Sequence, residues 1–437
     1  MSQLYEKPLE LLQTLIRYDT TNPPGNETEI TQYLQTLLEG SGLETTILAK
    51  SDNRPNLIAR LPGQGTAPPL LLQAHTDVVT TANQQWTHPP FAAEIHDGFL
   101  WGRGTLDDKC GVAMMVAAVL RAKAENTPLP GDIILTLVCD EEVDGTYGAK
   151  FLVDEHPEQF EGVEYCIGEG GGPSVMMSGQ KFYSIMVAEK QACPIRLTIH
   201  GPAGHGSIPF YGEGAMHELS RVLNILTTRR LPVHVTAVTK QMLETIGNNL
   251  PFPTGFALRQ MTNPAMTDRT LAMAGSAAHL LDPLLHNTVS PTIVNGGHKI
   301  NVIPSEITLD LDGRLLPGFH PTDMIRELRQ LLGPEVKLEM IRYDQGKSEV
   351  DMRWYNTLAD IVSEADPEGI PIPTLLGGVT DGRFFAKLGI QTYGFQPMHL
   401  STGLLDTIHA ANERIPVEAM DFATNAMFQA IQRIGAV

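Results

Sequence analysis

The sequence predicts an α/β protein: a mostly parallel sheet flanked by helices, interrupted by an inserted α+β domain. Three observations predict it. Short apolar segments that read as strands (Leu57–Leu61, Leu70–Gln73 and Ile133–Cys139) alternate with helical spacing at residues 3–18, 27–40 and Gly111–Ala124. The texture changes near residue 190 and returns from Tyr355 as a helix (Tyr355–Ala365), a strand (Gln391–Phe395) and a terminal helix (Val417–Ile434). A chain of 437 residues is also too long for one simple core. The expected division is residues 1–190 with 346–437 as one discontinuous domain, and 191–345 as the insertion.

The first strands are apolar without alternation, as strands buried on both faces must be. Gly111–Ala124 is apolar on most of its faces, so the helix is expected to be buried. Asn22-Pro23-Pro24-Gly25 separates the first two helices. Within the insertion, Ile195–His200, Thr292–Val294, Glu306–Leu311 and Val336–Tyr343 read as strands. Glu213–Leu226 and Asp323–Leu332 read as helices. Residues 240–290, rich in Pro, Met and Asn, read as helical insertions or long loops.

The net charge of -19 disfavours a nucleic-acid partner, because phosphate binding needs a basic surface. No basic segment followed by an apolar one opens the chain, and no apolar run approaches ~20 residues. A cytoplasmic protein with no membrane partner is the expectation. Cys110, Cys139, Cys166 and Cys193 lack Cys-x-x-Cys spacing and have apolar neighbours, so they are expected to be buried free thiols.

Five segments carry chemistry, and each ends or interrupts a predicted strand. They are His75-Thr-Asp77, Trp101–Lys109 with Asp107 and Asp108, and Cys139–Gly145 with three consecutive acids. Glu169 among glycines and Asp406–Glu413 around His409 complete the set. Singly, each has an ordinary explanation: a helix cap, a solvated loop, a turn, a packed histidine. Five in order on one α/β scaffold weaken those explanations. A histidine held by a carboxylate, as His75 with Asp77, is the usual build of a metal ligand.

These motifs resemble the M20 family of metallopeptidases and amidohydrolases. Gly102-Arg-Gly-x-x-Asp107-Asp-Lys109 is most similar to its carboxypeptidase S-like branch. Further matching blocks are Asn22–Asn26, Gly201–Pro209 around His205, Asn295–Pro304 around Asn301, and Gly377–Arg383.

The resemblance implies a zinc-peptidase-like catalytic domain, an inserted lid and dimerisation domain, and a centre of two Zn²⁺, for which Co²⁺ or Mn²⁺ can substitute. His75, Asp107 and Glu169 would hold one ion. Asp107, Glu142 and His409 would hold the other, with Asp107 bridging. A cis peptide after Asp107 is implied as well. The reaction implied is hydrolysis of an amide bond in a short peptide or N-acyl amino acid by a metal-bridging hydroxide, with Glu141 as general base, Asp77 orienting His75 and His205 polarising the carbonyl. Asn301, Arg314, Thr380 and Arg383 would bind substrate, Arg314 by its affinity for a carboxylate. The resemblance allows both a monomer and a homodimer joined through the insertion. The competing reading is a catalytically inactive metal-binding protein on the same scaffold.

Overall fold

The structure is a computed structural model that describes residues 4–275, 278–347, 349–401 and 403–435. Its main sheet has nine strands. Eight run in the order Glu44–Ala49, Pro55–Leu61, Ile133–Val138, Leu70–His75, Tyr165–Gly168, Gln391–Gly394, Gln180–Glu189 and Gly369–Leu376. Ser174–Met177 pairs with Gln180–Glu189 off that path. The central pairings are parallel: Leu70–His75 lies between Ile133–Val138 and Tyr165–Gly168, and Gln391–Gly394 runs beside Tyr165–Gly168. Both central strands Leu70–His75 and Ile133–Val138 are buried along their whole length, which is why their sequences do not alternate.

The helix Lys109–Ala124 packs into this core with thirteen of its residues buried, as its all-round apolar sequence requires. Gly111 sits where a Cβ would collide with the side chains of Asp108 and Gln396, so only glycine lets the helix start beneath the site loop. All four cysteines are buried and free.

A second, antiparallel sheet begins at residue 191. Its order is Gln191–Ala192, Glu306–Leu315, Ile195–His200 and Lys337–Met340, with Thr288–Gly296 also on Glu306–Leu315. Ala215–Thr228 and Pro321–Leu332 cover it through a core of Val222, Leu309 and Leu328. The helices Ala237–Asn249 and Pro264–Met273 behave differently from the rest of 191–345. They pack through Met242, Leu243 and Leu271 onto Phe182 and Ile372 of the main sheet. Gln191 ties the junction, donating to the Leu316 and Phe319 carbonyls and accepting from Tyr343 Oη and Gly346 N. Among the described residues, no helix is long and apolar enough to cross a membrane.

Candidate metal centre

Strand order explains how distant residues meet. Ile133–Val138, Leu70–His75 and Tyr165–Gly168 are neighbours and parallel, so their carboxyl ends open on one edge. That edge is where open α/β sheets place ligands. Glu142 follows the first strand, His75 ends the second, and Glu169 follows the third. Asp107 arrives on the loop before the buried helix, and His409 on the loop after Leu405–Thr407.

Two triads result, each with its donor atoms within 4.8 Å of one another: His75, Asp107, Glu169 and Asp107, Glu142, His409. His75 Nε2 lies 3.0 Å from Asp107 Oδ1 and 3.8 Å from Glu169 Oε2. His409 Nε2 lies 3.0 Å from Asp107 Oδ2 and 3.2 Å from Glu142 Oε2. Asp107 therefore offers one oxygen to each triad. The Asp107–Asp108 peptide is cis.

Electrostatics support cation binding. Among the described residues, no Lys or Arg pairs with Asp107, Glu141, Glu142 or Glu169. Burial would lower His75, but hydrogen bonds to Asp107, Asp77 and Glu169 carry it well above its ordinary value. Hydrogen bonds to Asp107 and Glu142 push His409 up to about 10. Burial would raise Asp107, yet His409 and His75 pull it far below the usual carboxylate range. Two imidazoles and three carboxylates with nothing else to neutralise them suit a pair of divalent ions of the Zn²⁺, Co²⁺ or Mn²⁺ kind.

Glu141 differs from its neighbour. Among the described residues its carboxylate has no hydrogen-bond or ion-pair partner, and burial followed by the nearby Glu169 charge raises it well above the usual range. Its backbone N–H donates to Asp77 Oδ1, while Glu142 N donates to Asp77 Oδ2. Asp77 thus fixes both acids. His75 Nδ1 is closer to the Asp77 carbonyl, at 3.0 Å, than to its carboxylate, at 3.4 Å, so the backbone shares in orienting the ring. Asp140 and His409 hold φ of +75° and +61°, left-handed values that non-glycine residues adopt chiefly where the surroundings impose them.

One buried pair frames the site and was not singled out as a site residue from sequence. Glu413 accepts from Arg103 Nη1 at 2.6 Å, Leu106 N at 2.7 Å, Gly104 N at 3.1 Å and Asp107 N at 3.2 Å. Arg103 Nη2 also donates to the Ala410 carbonyl. The loop bearing Asp107 is thereby tied to the loop bearing His409. Burial pushes Glu413 up to about 7 against the pull of Arg103, and its donors hold it as the carboxylate.

The other expected site residues are dispersed. His205 pairs with Val302 in a short two-stranded ladder, Gly206 N donates to the carbonyl of the adjoining Asn301, and His205 Nδ1 lies 2.7 Å from Ser207 Oγ. Neither His205 nor Asn301 belongs to the two triads. Arg314 pairs with Asp312 at 2.8 Å, while Asp310 is taken by Arg196, and among the described residues the buried Arg314 Nη1 has no partner. Thr380 turns inward: its N–H and Oγ1 both donate to Glu189 Oε2, at 2.7 and 2.9 Å. Arg383 donates to the Thr380 carbonyl. These two therefore shape their own loop. A cavity of about 320 Å³ opens beside Asp107 and Glu169, walled by Leu106, Pro173, Leu376, Met398, Leu405 and Ile408. Among the described residues, no basic side chain lines it.

Residues 71–433 match the peptidase family M20/M25/M40, and the chain belongs to that family. It is a hydrolytic enzyme of the metallopeptidase and amidohydrolase kind. It is 27% identical over 384 residues to the human N-fatty-acyl-amino acid synthase/hydrolase PM20D1, covering 84% of this chain and 75% of the relative. Its fold is similar to an M20 family metallo-carboxypeptidase from Sulfolobus solfataricus, with TM-score 0.68 and 16% identity over 99% of this chain and 100% of the other. It is also similar to a dinuclear metal binding peptidase of the M20 family from Bacillus subtilis, with TM-score 0.61 and 14% identity over 99% of each chain.

Proposed function

We propose that this chain is a two-metal amide hydrolase that cleaves N-acyl amino acids or short peptides in the cytoplasm. The observation that carries the reading is the pair of triads sharing Asp107, with the unpartnered Glu141 beside them. His75, Asp107 and Glu169 would hold one ion, and Asp107, Glu142 and His409 the other. Bound there, the ions would lower the pKa of water toward neutrality and polarise the scissile carbonyl.

Glu141 then takes the proton of the attacking water and returns it to the leaving nitrogen. Burial and the nearby acids raise its proton affinity, in the direction that a group which both takes and returns a proton requires. Asp77 holds Glu141 and His75 in register. The layer formed by the second sheet, within 191–345, acts as lid, bringing His205 to the oxyanion. Asn301 and the unpartnered Nη1 of Arg314 receive the substrate carboxylate. The acyl side enters the cavity walled by Leu376, Met398 and Leu405, and its lack of a basic residue favours an uncharged chain.

The test is Glu141→Gln, assayed for bound metal and for turnover of a dipeptide and N-acyl amino acid panel. Metal content should match wild type while turnover falls ~10²–10⁴-fold. Unchanged turnover would remove Glu141 from the mechanism.

A further inference from the structure

Among the described residues outside that centre, one other group of side chains converges as metal donors do. His88, Glu94 and His96 each offer one donor atom, and all lie within 4.8 Å of one another. His88 Nδ1 is 3.4 Å and His96 Nε2 2.9 Å from Glu94 Oε2. Donors around a tetrahedral zinc at ~2.0–2.2 Å lie about 3.3–3.6 Å apart, so the donor spacing suits an ion once the stacked rings of His88 and His96 swing apart to aim their in-plane lone pairs at it.

The surroundings hold these groups in place. Glu94 directly precedes the strand Ile95–His96, and the spacing of two puts its side chain and that of His96 on one side. The rings of His88 and His96 stack at 3.9 Å with 11° between planes. His88 also meets Trp101 edge-on at 4.7 Å, and the Arg414 guanidinium covers Trp101 at 4.6 Å. The His88 side chain is only 20% exposed, so much of its ordering cost is met before any ligand arrives. Among the described residues, Glu94 pairs with no Lys or Arg.

We propose that His88, Glu94 and His96 form a third metal site, separate from the catalytic centre, which takes one divalent ion of the zinc, cobalt, nickel or copper class. Two imidazoles and a carboxylate suit these ions, and the half-exposed side of the cluster leaves room for water to complete the shell. The same loop reaches the catalytic centre. Gln84 Nε2 donates to the His409 carbonyl at 2.9 Å, and Thr87 N donates to Asn412 Oδ1 at 2.7 Å. An ion here would brace the segment on which the His409 loop rests.

The test is zinc content of the full chain after saturation with Zn²⁺ and desalting, compared among wild type, His96→Gln and Glu94→Gln. Wild type should carry one more equivalent per chain than either variant. Equal content in all three overturns the proposal. A shortfall at the catalytic centre that is common to all three proteins cancels in the difference. His96 and Glu94 are each near 43% exposed, and neither joins a core cluster, so both variants should fold. Native circular dichroism in the variants is the check on folding.

Discussion

Replacing Glu413 by Gln separates the framework of the centre from its ligands. Glu413 and Arg103 are both essentially inaccessible, and the carboxylate gathers one guanidinium and three backbone N–H groups. Glutamine keeps the shape but leaves Arg103 as a buried charge without its counterion. Breaking a buried pair from one side costs ~3–5 kcal/mol. The amide NH₂ would also face backbone donors that need an acceptor.

The assay is urea unfolding of the metal-free protein followed by tryptophan fluorescence, because Arg103 lies 5.3 Å over the Trp86 ring. The unfolding free energy should fall by ~3–5 kcal/mol. Adding Arg103→Met should cost less than the sum of the single changes, since both charges are then gone. Because Glu413 ties the Asp107 loop to the His409 loop, bound metal should fall as well. A loss below ~1 kcal/mol with two ions retained would refute the idea that this pair sets the spacing of the ligands.

Three further outcomes follow from the geometry. His409→Gln should leave one ion bound through His75, Asp107 and Glu169, whereas Asp107→Asn should weaken both sites; metal analysis after dialysis distinguishes them. His409 is raised from 6.5 to about 10 in the metal-free protein, so its stabilisation is complete below about pH 6.5 and is lost as pH rises toward 10. An ion displaces that proton, so zinc affinity measured by chelator competition should rise up to about tenfold per pH unit over that window for each proton released. In an N-acyl series on one amino acid, kcat/KM should rise ~4-fold per methylene until the cavity beside Leu376 and Met398 is full. Leu405→Arg should shift preference toward an N-succinyl substrate, and an unchanged preference would count against the cavity as the acyl site.

The residues that converge in the two triads stand out in sequence, because each sits in a segment that ends or interrupts a predicted strand, an acid or histidine among apolar residues. Glu413 does not, although it lies four residues past His409, because an acid that accepts backbone hydrogen bonds looks like any loop acid. Among strands, Gly369–Leu376 went unassigned: Pro371 and Pro373 argue against a strand, and the structure reconciles them by placing it last in the sheet order. Glu44–Ala49 has no buried residue, so it carried no alternation to read. The stretch 240–290, rich in Pro, Met and Asn, reads equally as helices or long loops and gives no sign of which sheet it covers. That depends on Phe182 and Ile372, far away in the chain.

None of the five residues of the two triads falls between residues 191 and 345. On the proposed reading, the residues that hold the ions and the base Glu141 are written in the flanking segments, whereas His205, Asn301 and Arg314 are written in the middle. The grip on the substrate carboxylate can then be rewritten within one contiguous stretch, while the acyl cavity changes only together with the segments that carry the triads.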